Sequence, residues 1–221
     1  WCLQHAGVRP EQVQHVAISF DPRANFWRRL GFVAKARPSF RSLLDRLKRQ
    51  GRTLSLEDQY AQAVGLKRKA VTAQFHRIEH HQTHVASGFL ISPFDRAAVL
   101  SVDGMGDFTS TLTAMAAGND WQELNRVYYP HSIGFLYTAV TMYLGFPYYG
   151  DEYKVMGLAP YGQPEFADLF RRMIRPVGET FELNLDFFTH HRSGIKMNWN
   201  DGAPTIQPFY SALLEKTLGP A

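Results

Sequence analysis

The sequence contains a single cysteine, Cys2, and no apolar run of membrane-spanning length. A lone cysteine excludes an internal disulfide framework and is typical of proteins in a reducing cytoplasm. A helix that crosses a bilayer needs roughly 18 or more consecutive apolar residues. The first residues also lack the basic and then apolar segments of a secretory signal. We therefore expect a cytoplasmic protein without a membrane partner.

The remaining composition is that of a globular chain. Of the 221 residues, 45% are hydrophobic and 20% are charged, which provides for one large core or two modest ones. Aromatic residues make up 14%. They can line a binding site as well as fill a core, so their number alone selects no function.

Positive charge is concentrated in one stretch of the chain. From Arg23 to Arg77 there are fourteen lysines and arginines against three acids. Such a stretch can bind nucleic acid or another anion, or it can be the solvated side of packed helices. We favour the second interpretation because the charges alternate with apolar residues at helical spacing. We expect a basic helical insertion over residues 23–70, with helices at 38–50 and 55–65, and no nucleic-acid partner.

Elsewhere the pattern of apolar residues predicts an α/β protein. Period-two or continuous apolar segments predict strands, and three- to four-residue spacing predicts helices. The expected strands are residues 14–20, 71–78, 97–103, 108–116, 122–129 and the alternating segment 181–187. The expected helices are residues 80–90, 133–144, 166–174 and 211–219, with a short one after Gly150 that Pro160 ends. The three central strands are joined by short turns, which predicts an antiparallel meander.

Two histidines one helical turn apart form the first candidate site. His80 and His84 lie at i and i+4 and share a helix face, which suits chelation of one metal ion. His81 points elsewhere and can support the site or face a substrate. Alternatively, the histidines simply pack or cap a helix start. The sequence lacks the glutamate of a His-Glu-x-x-His motif, which argues against a zincin-type protease.

An aspartate at the end of a buried strand forms the second candidate site. Asp103 follows a continuous apolar segment, where a carboxylate can bind metal or orient water. Gly104 and Gly106 allow the backbone to approach an anion, and Asp107 and Ser110 (with Thr109) follow as candidate nucleotide- or phosphate-binding residues. The alternative is an ordinary Asp-Gly hairpin turn.

A third candidate segment opens a short helix. Glu152 can accept hydrogen bonds from ribose hydroxyls, and Lys154 can neutralise phosphate. Alternatively, Glu152 is an acid stabilised at a helix start by the helix dipole. Neighbouring tyrosines either line a nucleoside or sugar pocket or belong to the core.

Three strings together resemble a known family. They are HHQTHVAS at 80–87, VDGMGD at 102–107 and GDEYKVMGLAPYG at 150–162. The chain closely resembles the O-carbamoyltransferases of the nodulation protein U, cephalosporin and tobramycin type over nearly its whole length. The third string is the most specific, because thirteen residues in that order do not recur by chance.

The resemblance implies a fold, a reaction and a ligand set. The fold is actin-like (sugar kinase, Hsp70, ribonuclease H-like), a mixed sheet with flanking helices, of which residues 1–221 are a partial N-terminal domain. Carbamoyl phosphate and ATP give carbamoyl-adenylate, whose carbamoyl group moves to a hydroxyl of a sugar, antibiotic or similar acceptor. An iron-type ion is held by the residues matching His80, His84 and Asp103, and by a further aspartate in a part of the family that this chain lacks.

Other functions remain open at this point. A neighbouring branch comprises threonylcarbamoyl and hydrogenase-maturation enzymes, which act on tRNA or protein. A nucleic-acid-binding module is the alternative from a different class. The missing parts of the family pattern lead us to expect a fragment of a longer chain that does not catalyse transfer by itself. No general base is assigned.

Overall fold

The computed structural model describes residues 1–36, 55–199 and 202–219. The chain divides into two compact units, residues 1–83 and 84–221. The division falls inside a continuous helix, His80–Phe89. The helix predicted at 55–65 is confirmed as Leu56–Val64, whereas the one predicted at 38–50 lies outside the described residues.

The first unit contains two paired strands and several helices. Strands β1 (His15–Ile18) and β2 (Gln74–Arg77) pair in parallel. The helices are α1 (Cys2–His5), α2 (Phe26–Ala36) and α3 (Leu56–Val64). Helix α3 begins at Leu56 because the Ser55 hydroxyl accepts a hydrogen bond from the Asp58 amide. The same helix ends where Gly65 adopts φ +73°.

The second unit contains the C-terminal part of helix α4 (His80–Phe89) and an antiparallel sheet. The strands are β3 (Arg96–Gly106), β4 (Thr109–Ala117) and β5 (Asp120–Tyr128), paired in that order. Val85 of helix α4 is fully buried and packs against Leu112 and Ala114 of the central strand. The predicted meander and the predicted helix start at His80 are therefore confirmed.

A larger core lies in the rest of the second unit. Its helices are α5 (Ile133–Tyr143), α6 (Glu152–Leu158), α7 (Ala167–Met173), α8 (His190–Ser193) and α9 (Ala212–Leu218). Two short antiparallel strand pairs accompany them: β6 (Ile174–Val177) with β7 (Thr180–Leu183), and β8 (Met197–Asn198) with β9 (Thr205–Ile206). Buried residues from these elements, including Leu136, Met173, Phe187 and Phe209, form one apolar cluster.

One detail of this region differs from the sequence prediction. The strand expected over 181–187 ends at Leu183, because the Asn184 side chain accepts a hydrogen bond from the Asp186 amide and starts a 3-10 turn. The short helix predicted to end at Pro160 is confirmed, since α6 ends at Leu158, and Pro160 lies in a 3-10 turn, Ala159–Tyr161, that follows it. Proline fits there because the first turn of a helix needs no amide donor from it.

The α/β class is confirmed, but the described residues do not form one mixed sheet. The parallel pair and the antiparallel meander belong to separate sheets, and the described strands make four sheets in all. Alternating apolar residues identify a strand without specifying its partner, which is why the sequence did not predict this arrangement. Among the described helices, none has the length and apolar character needed to cross a membrane.

Candidate metal centre and adjoining cavity

Helix α4 presents His80 and His84 on one face. The helix starts at His80 because the Glu79 carboxylate accepts a hydrogen bond from the Gln82 amide at 3.0 Å, and the Glu79 carbonyl accepts one from the Thr83 amide at 3.2 Å. The carboxylate contact satisfies one of the amide groups that a helix start leaves without an intrahelical partner, and the carbonyl contact is the first regular bond of the helix. Because both histidines lie in this helix, their imidazoles are one turn apart.

The imidazole of His80 is oriented by the protein backbone. Its Nδ1 lies 3.2 Å from the Ser19 carbonyl oxygen. A carbonyl only accepts, so Nδ1 carries the proton and the lone pair is on Nε2. Metal-binding histidines commonly use a hydrogen bond of this kind to fix the ring. His81 is fully buried, and its ring meets that of His80 edge-on, with centroids 5.5 Å apart.

Asp103 completes a group of three possible ligands. His84 Nε2 lies 3.9 Å from Asp103 Oδ2, and one ligand atom from each of His80, His84 and Asp103 lies within 4.8 Å of the others. Ligands about 2.1 Å from a shared ion are about 3.0–3.4 Å apart at octahedral or tetrahedral angles. The three atoms therefore need to approach one another, by at most about 1.8 Å for the widest pair, to bind one ion.

A bulge in strand β3 presents Asp103. The pairing of β3 with β4 is interrupted between Val102 and Gly106. The Asp103 carbonyl instead accepts a hydrogen bond from the Ser132 hydroxyl at 3.2 Å. Its carboxylate Oδ1 accepts one from the Gly104 amide at 2.6 Å. Bulges commonly re-aim a side chain at a functional site, and here both the backbone and the carboxylate of Asp103 are held.

Helix α5 contacts this bulge closely. Ser132 caps the helix by accepting a hydrogen bond from the Phe135 amide at 3.1 Å. A Cβ at Gly134 would lie 2.8 Å from both the Asp103 oxygen and the Gly104 nitrogen, closer than real side chains approach. Glycine at 134 therefore permits the contact. Neither Ser132 nor Gly134 was among the predicted site residues, although a serine immediately before an apolar helix is a recognisable cap signal.

The glycines after Asp103 lie in strand β3 and do not form a flexible loop. The reversal occurs at Asp107 and Phe108, whose φ values are +48° and +73°. Two successive positive φ values make a two-residue hairpin of the primed type. A Cβ at Gly104 would meet the Phe135 ring at 3.0 Å, so this glycine is explained by packing. The predicted anion-binding roles of Gly104, Gly106 and the buried Asp107 stay predictions.

Ser110 lies inside the sheet. It is fully buried, and its hydroxyl donates a hydrogen bond to the His131 carbonyl at 2.6 Å. The neighbouring Thr109 hydroxyl accepts one from Arg126 at 2.9 Å. Nothing in these contacts supports the phosphate-binding role predicted for Ser110, which stays a prediction.

Glu152 and Lys154 have different surroundings. Two residues along a helix correspond to a rotation of about 200°, so their side chains leave opposite sides. The Lys154 ammonium lies 2.6 Å from the carboxylate of buried Asp151 and near the rings of Phe146, Tyr148 and Tyr153. The hydrogen bond between the two residues raises the pKa of Lys154 and lowers that of Asp151.

The Glu152 carboxylate instead lines a cavity of about 350 Å³ beside Asp103. Glu152 Oε1 accepts a hydrogen bond from the Thr138 hydroxyl at 2.5 Å. Other lining residues are Phe135, Tyr137 and Tyr149, with Ile195, Met197, Ile206 and Phe209 from the C-terminal elements. Because Asp103 belongs to both the cavity and the three-residue group, the two form one continuous candidate site.

A neutral histidine lies next to the aromatic lining of this cavity. His190 is fully buried, and its ring contacts those of Phe135 and Phe209 with centroids 5.2 and 5.6 Å apart. Its Nε2 donates to the Pro130 carbonyl at 2.8 Å. Burial lowers the pKa of His190 to about 4, so the ring is uncharged near neutral pH.

Comparison with known proteins agrees with the resemblance drawn from the sequence. A family model described as "Carbamoyltransferase N-terminus" matches residues 1–206. The chain therefore belongs to the carbamoyltransferase N-terminal family.

Several curated proteins are similar to the chain. It is 34% identical over 205 residues to "Uncharacterized protein sll1178" of Synechocystis sp.. This match covers 89% of the chain and 33% of that protein. It is 43% identical over 96 residues to nodulation protein NolNO of Sinorhizobium fredii, covering 43% of the chain and 14% of that protein. Nodulation protein NolO of Bradyrhizobium diazoefficiens is 42% identical over 94 residues, covering 42% and 17%. The chain thus spans at most about a third of these relatives.

Proposed function

We propose that this chain supplies part of the transfer site of an O-carbamoyltransferase. The reaction moves a carbamoyl group from carbamoyl-adenylate to a hydroxyl of a sugar, antibiotic or similar small molecule. Carbamoyl phosphate and ATP are the proposed sources of the adenylate. The proposal is carried by the convergence of His80, His84 and Asp103 in a chain that belongs to the carbamoyltransferase N-terminal family.

The donor set of this group suits a divalent transition metal. Two imidazole nitrogens and one carboxylate are the protein ligands of many non-haem iron(II) sites, and they leave positions open for further ligands. We propose that His80, His84 and Asp103 hold iron. When bound, the dication supplies Lewis-acid chemistry to the carbonyl under attack. The Ser19 carbonyl and the Gly104 amide orient two of the ligands through the hydrogen bonds described above.

The proposal extends to the fold of the domain, to the residues around the metal ligands and to the cellular location of the enzyme. An actin-like domain is supported by the antiparallel meander followed by helix α5. We propose that residues 1–221 are part of the N-terminal domain of a longer cytoplasmic enzyme, with residues 23–70 as a basic insertion. Gly104, Gly106, Asp107 and Ser110 remain proposed nucleotide- or phosphate-binding residues, and fully buried His81 is proposed to support His80.

The test uses the natural full-length protein. We expect carbamoyl phosphate, ATP and a panel of sugars and aminoglycosides to yield AMP and a carbamoylated product detectable by mass spectrometry. His84→Ala should abolish transfer and leave carbamoyl-adenylate formation intact, whereas the exposed His5→Ala should retain both. Full transfer by His84→Ala would refute the metal assignment. A product on tRNA or protein would instead support a threonylcarbamoyl- or hydrogenase-maturation-type enzyme.

A further inference from the structure

The residues that line the cavity beside Asp103 indicate which class of molecule it binds. Thirteen residues line it, and the two charged ones, Asp103 and Glu152, are both acids. Lys154, the nearest lysine in sequence, is instead ion-paired with Asp151 among aromatic rings and is not part of the lining. Asp103 is one of the proposed metal ligands, so a bound dication offsets its charge. Glu152 is then the charged lining residue that faces the occupant, and a carboxylate accepts hydrogen bonds from hydroxyl or ammonium groups. The cavity therefore suits a hydroxyl- or amine-bearing molecule.

The remaining lining favours a ring with an apolar face. Phe135, Tyr137, Tyr149 and Phe209 contribute aromatic side chains. Aromatic walls with a few placed polar groups are typical of small-molecule sites, and the cavity volume of about 350 Å³ accommodates a molecule of one or two sugar rings. A hydroxylated ring can place its C–H faces against the aromatic rings and direct its hydroxyls to Glu152 and Asp103.

We propose that this cavity binds the hydroxyl acceptor, and that Glu152, positioned by Thr138, takes the proton from the attacking hydroxyl. This inference rests on the proposed carbamoyl transfer and adds to it the acceptor-binding site and the base. The Thr138 hydroxyl holds Glu152 through Oε1. A carboxylate accepts several hydrogen bonds, so this contact orients the group while leaving it able to accept another.

The step balances without a further reactant. The acceptor oxygen forms a bond to the carbamoyl carbon as its proton moves to the Glu152 carboxylate. The bond between that carbon and the adenylate phosphate oxygen breaks, and the leaving AMP keeps the electron pair. Glu152 then loses the proton to solvent. Glu152 is a catalytic residue in this scheme because it touches the hydroxyl, and Thr138 is a positioning residue.

The first experiment replaces Glu152 in the full-length enzyme. Glu152→Gln keeps the shape of the side chain and removes its basicity. We expect kcat of transfer to fall by about 10²- to 10⁴-fold, as for loss of a general base, while the acceptor KM, metal content and adenylate formation stay within about threefold. Glu165→Gln, at an exposed carboxylate outside the cavity, is the matched control.

Thr138 provides a second, independent readout. Thr138→Val keeps the size of the side chain and removes the hydrogen bond to Glu152. We expect a fall in kcat of about tenfold without a matching rise in acceptor KM, and recovery in Thr138→Ser, which restores the hydroxyl. A purely structural role for Thr138 would instead lower stability in both variants and give no rescue of kcat by serine.

A binding measurement tests the role of Glu152 in the cavity. Glucosamine and glucose serve as probes, and saturation-transfer NMR on the full-length protein measures their binding. We expect the wild type to bind both sugars and to bind glucosamine about two- to threefold more tightly, and Glu152→Gln to lose that preference. No binding of either sugar, or a preference for glucosamine that Glu152→Gln leaves unchanged, would overturn the assignment of the cavity to the acceptor.

The outcomes separate this inference from the proposed function. If Glu152→Gln transfers at the wild-type rate, or if it loses nucleotide affinity and adenylate formation, the inference is wrong although carbamoyl transfer stands. If the wild-type enzyme transfers carbamoyl to no acceptor, the proposed function itself fails. Circular dichroism and melting temperature of each variant identify any loss of fold.

Discussion

His84 Nε2 and Asp103 Oδ2 lie 3.9 Å apart, although 19 positions separate the two residues in the sequence. His84 comes from helix α4, and Asp103 comes from the bulged end of strand β3. The distance is slightly wider than that between two ligands of one small ion, which is about 3.0–3.4 Å. A bound dication is therefore expected to draw the two side chains together.

The first prediction concerns metal affinity. His84→Ala and Asp103→Ala should each weaken binding of iron(II) or zinc(II) by at least about 100-fold, because loss of a supporting residue alone typically costs 10- to 100-fold. The His5→Ala variant should bind as wild type does. Competition with a chelator of known affinity measures the effect. Unchanged affinity in either ligand variant would show that the three side chains do not form the site.

The second prediction concerns the close contact of helix α5 with Asp103. Gly134→Ala should destabilise the protein by about 1–3 kcal/mol, because the new Cβ would lie 2.8 Å from backbone atoms of Asp103 and Gly104. It should also weaken metal binding, since Asp103 must move. Gly157→Ala, in a helix with open space around the added Cβ, is the control and should stabilise by about 0.5–1 kcal/mol.

Urea unfolding measures both glycine variants. Equal stability changes in the two would contradict the packing explanation. Reduced stability of Gly134→Ala with unaltered metal affinity would show that the contact supports the fold without positioning Asp103.

The third prediction concerns pH. The pKa of His190 is lowered to about 4 by burial, whereas an unfolded histidine titrates near 6.5. The unfolded chain therefore binds more protons between these values, and the stability contributed by neutral His190 is present above pH 6.5 and lost as pH falls towards 4. The linkage relation gives a loss of about 2 kcal/mol between pH 7 and pH 5.

His190→Phe tests the origin of this pH dependence. The variant loses the hydrogen bond to Pro130 and should be less stable at pH 7, but its stability should fall less steeply between pH 7 and pH 5. Urea unfolding at several pH values measures the difference. Parallel pH profiles for the variant and the wild type would assign the acid sensitivity to other groups.

The fourth prediction separates two interpretations of Lys154. Lys154→Met leaves the Asp151 carboxylate without its cationic partner and should lower the melting temperature, whereas Lys154→Met with Asp151→Asn should be less destabilised than the two single changes predict. If Lys154 and Asp151 form a structural ion pair, their effects on stability are coupled in this way. The KM of the full-length enzyme for carbamoyl phosphate and ATP is then unchanged in Lys154→Met. A raised KM for either would support the phosphate-binding role predicted from sequence.

Much of the candidate site follows from local sequence. The spacing of His80 and His84 places them on one face of any helix that contains both, and the apolar segment before Asp103 identifies the strand that ends there. The short turns between apolar segments predict the meander. These features depend on residues within a few positions of one another, so they are readable without the fold.

The tertiary structure decided which of these local features meet. Asp103 reaches His84 because β3 bulges and Gly134 lets helix α5 approach the bulge, a contact between residues 31 positions apart. Glu152 lines the cavity, whereas Lys154 pairs with Asp151 on another side of helix α6. Which side of the helix lines the cavity depends on how the helix packs against the rest of the unit. The separation of the strands into small sheets is likewise a matter of long-range pairing. Such contacts depend on the packing of distant segments, and the sequence alone does not encode them in any local pattern.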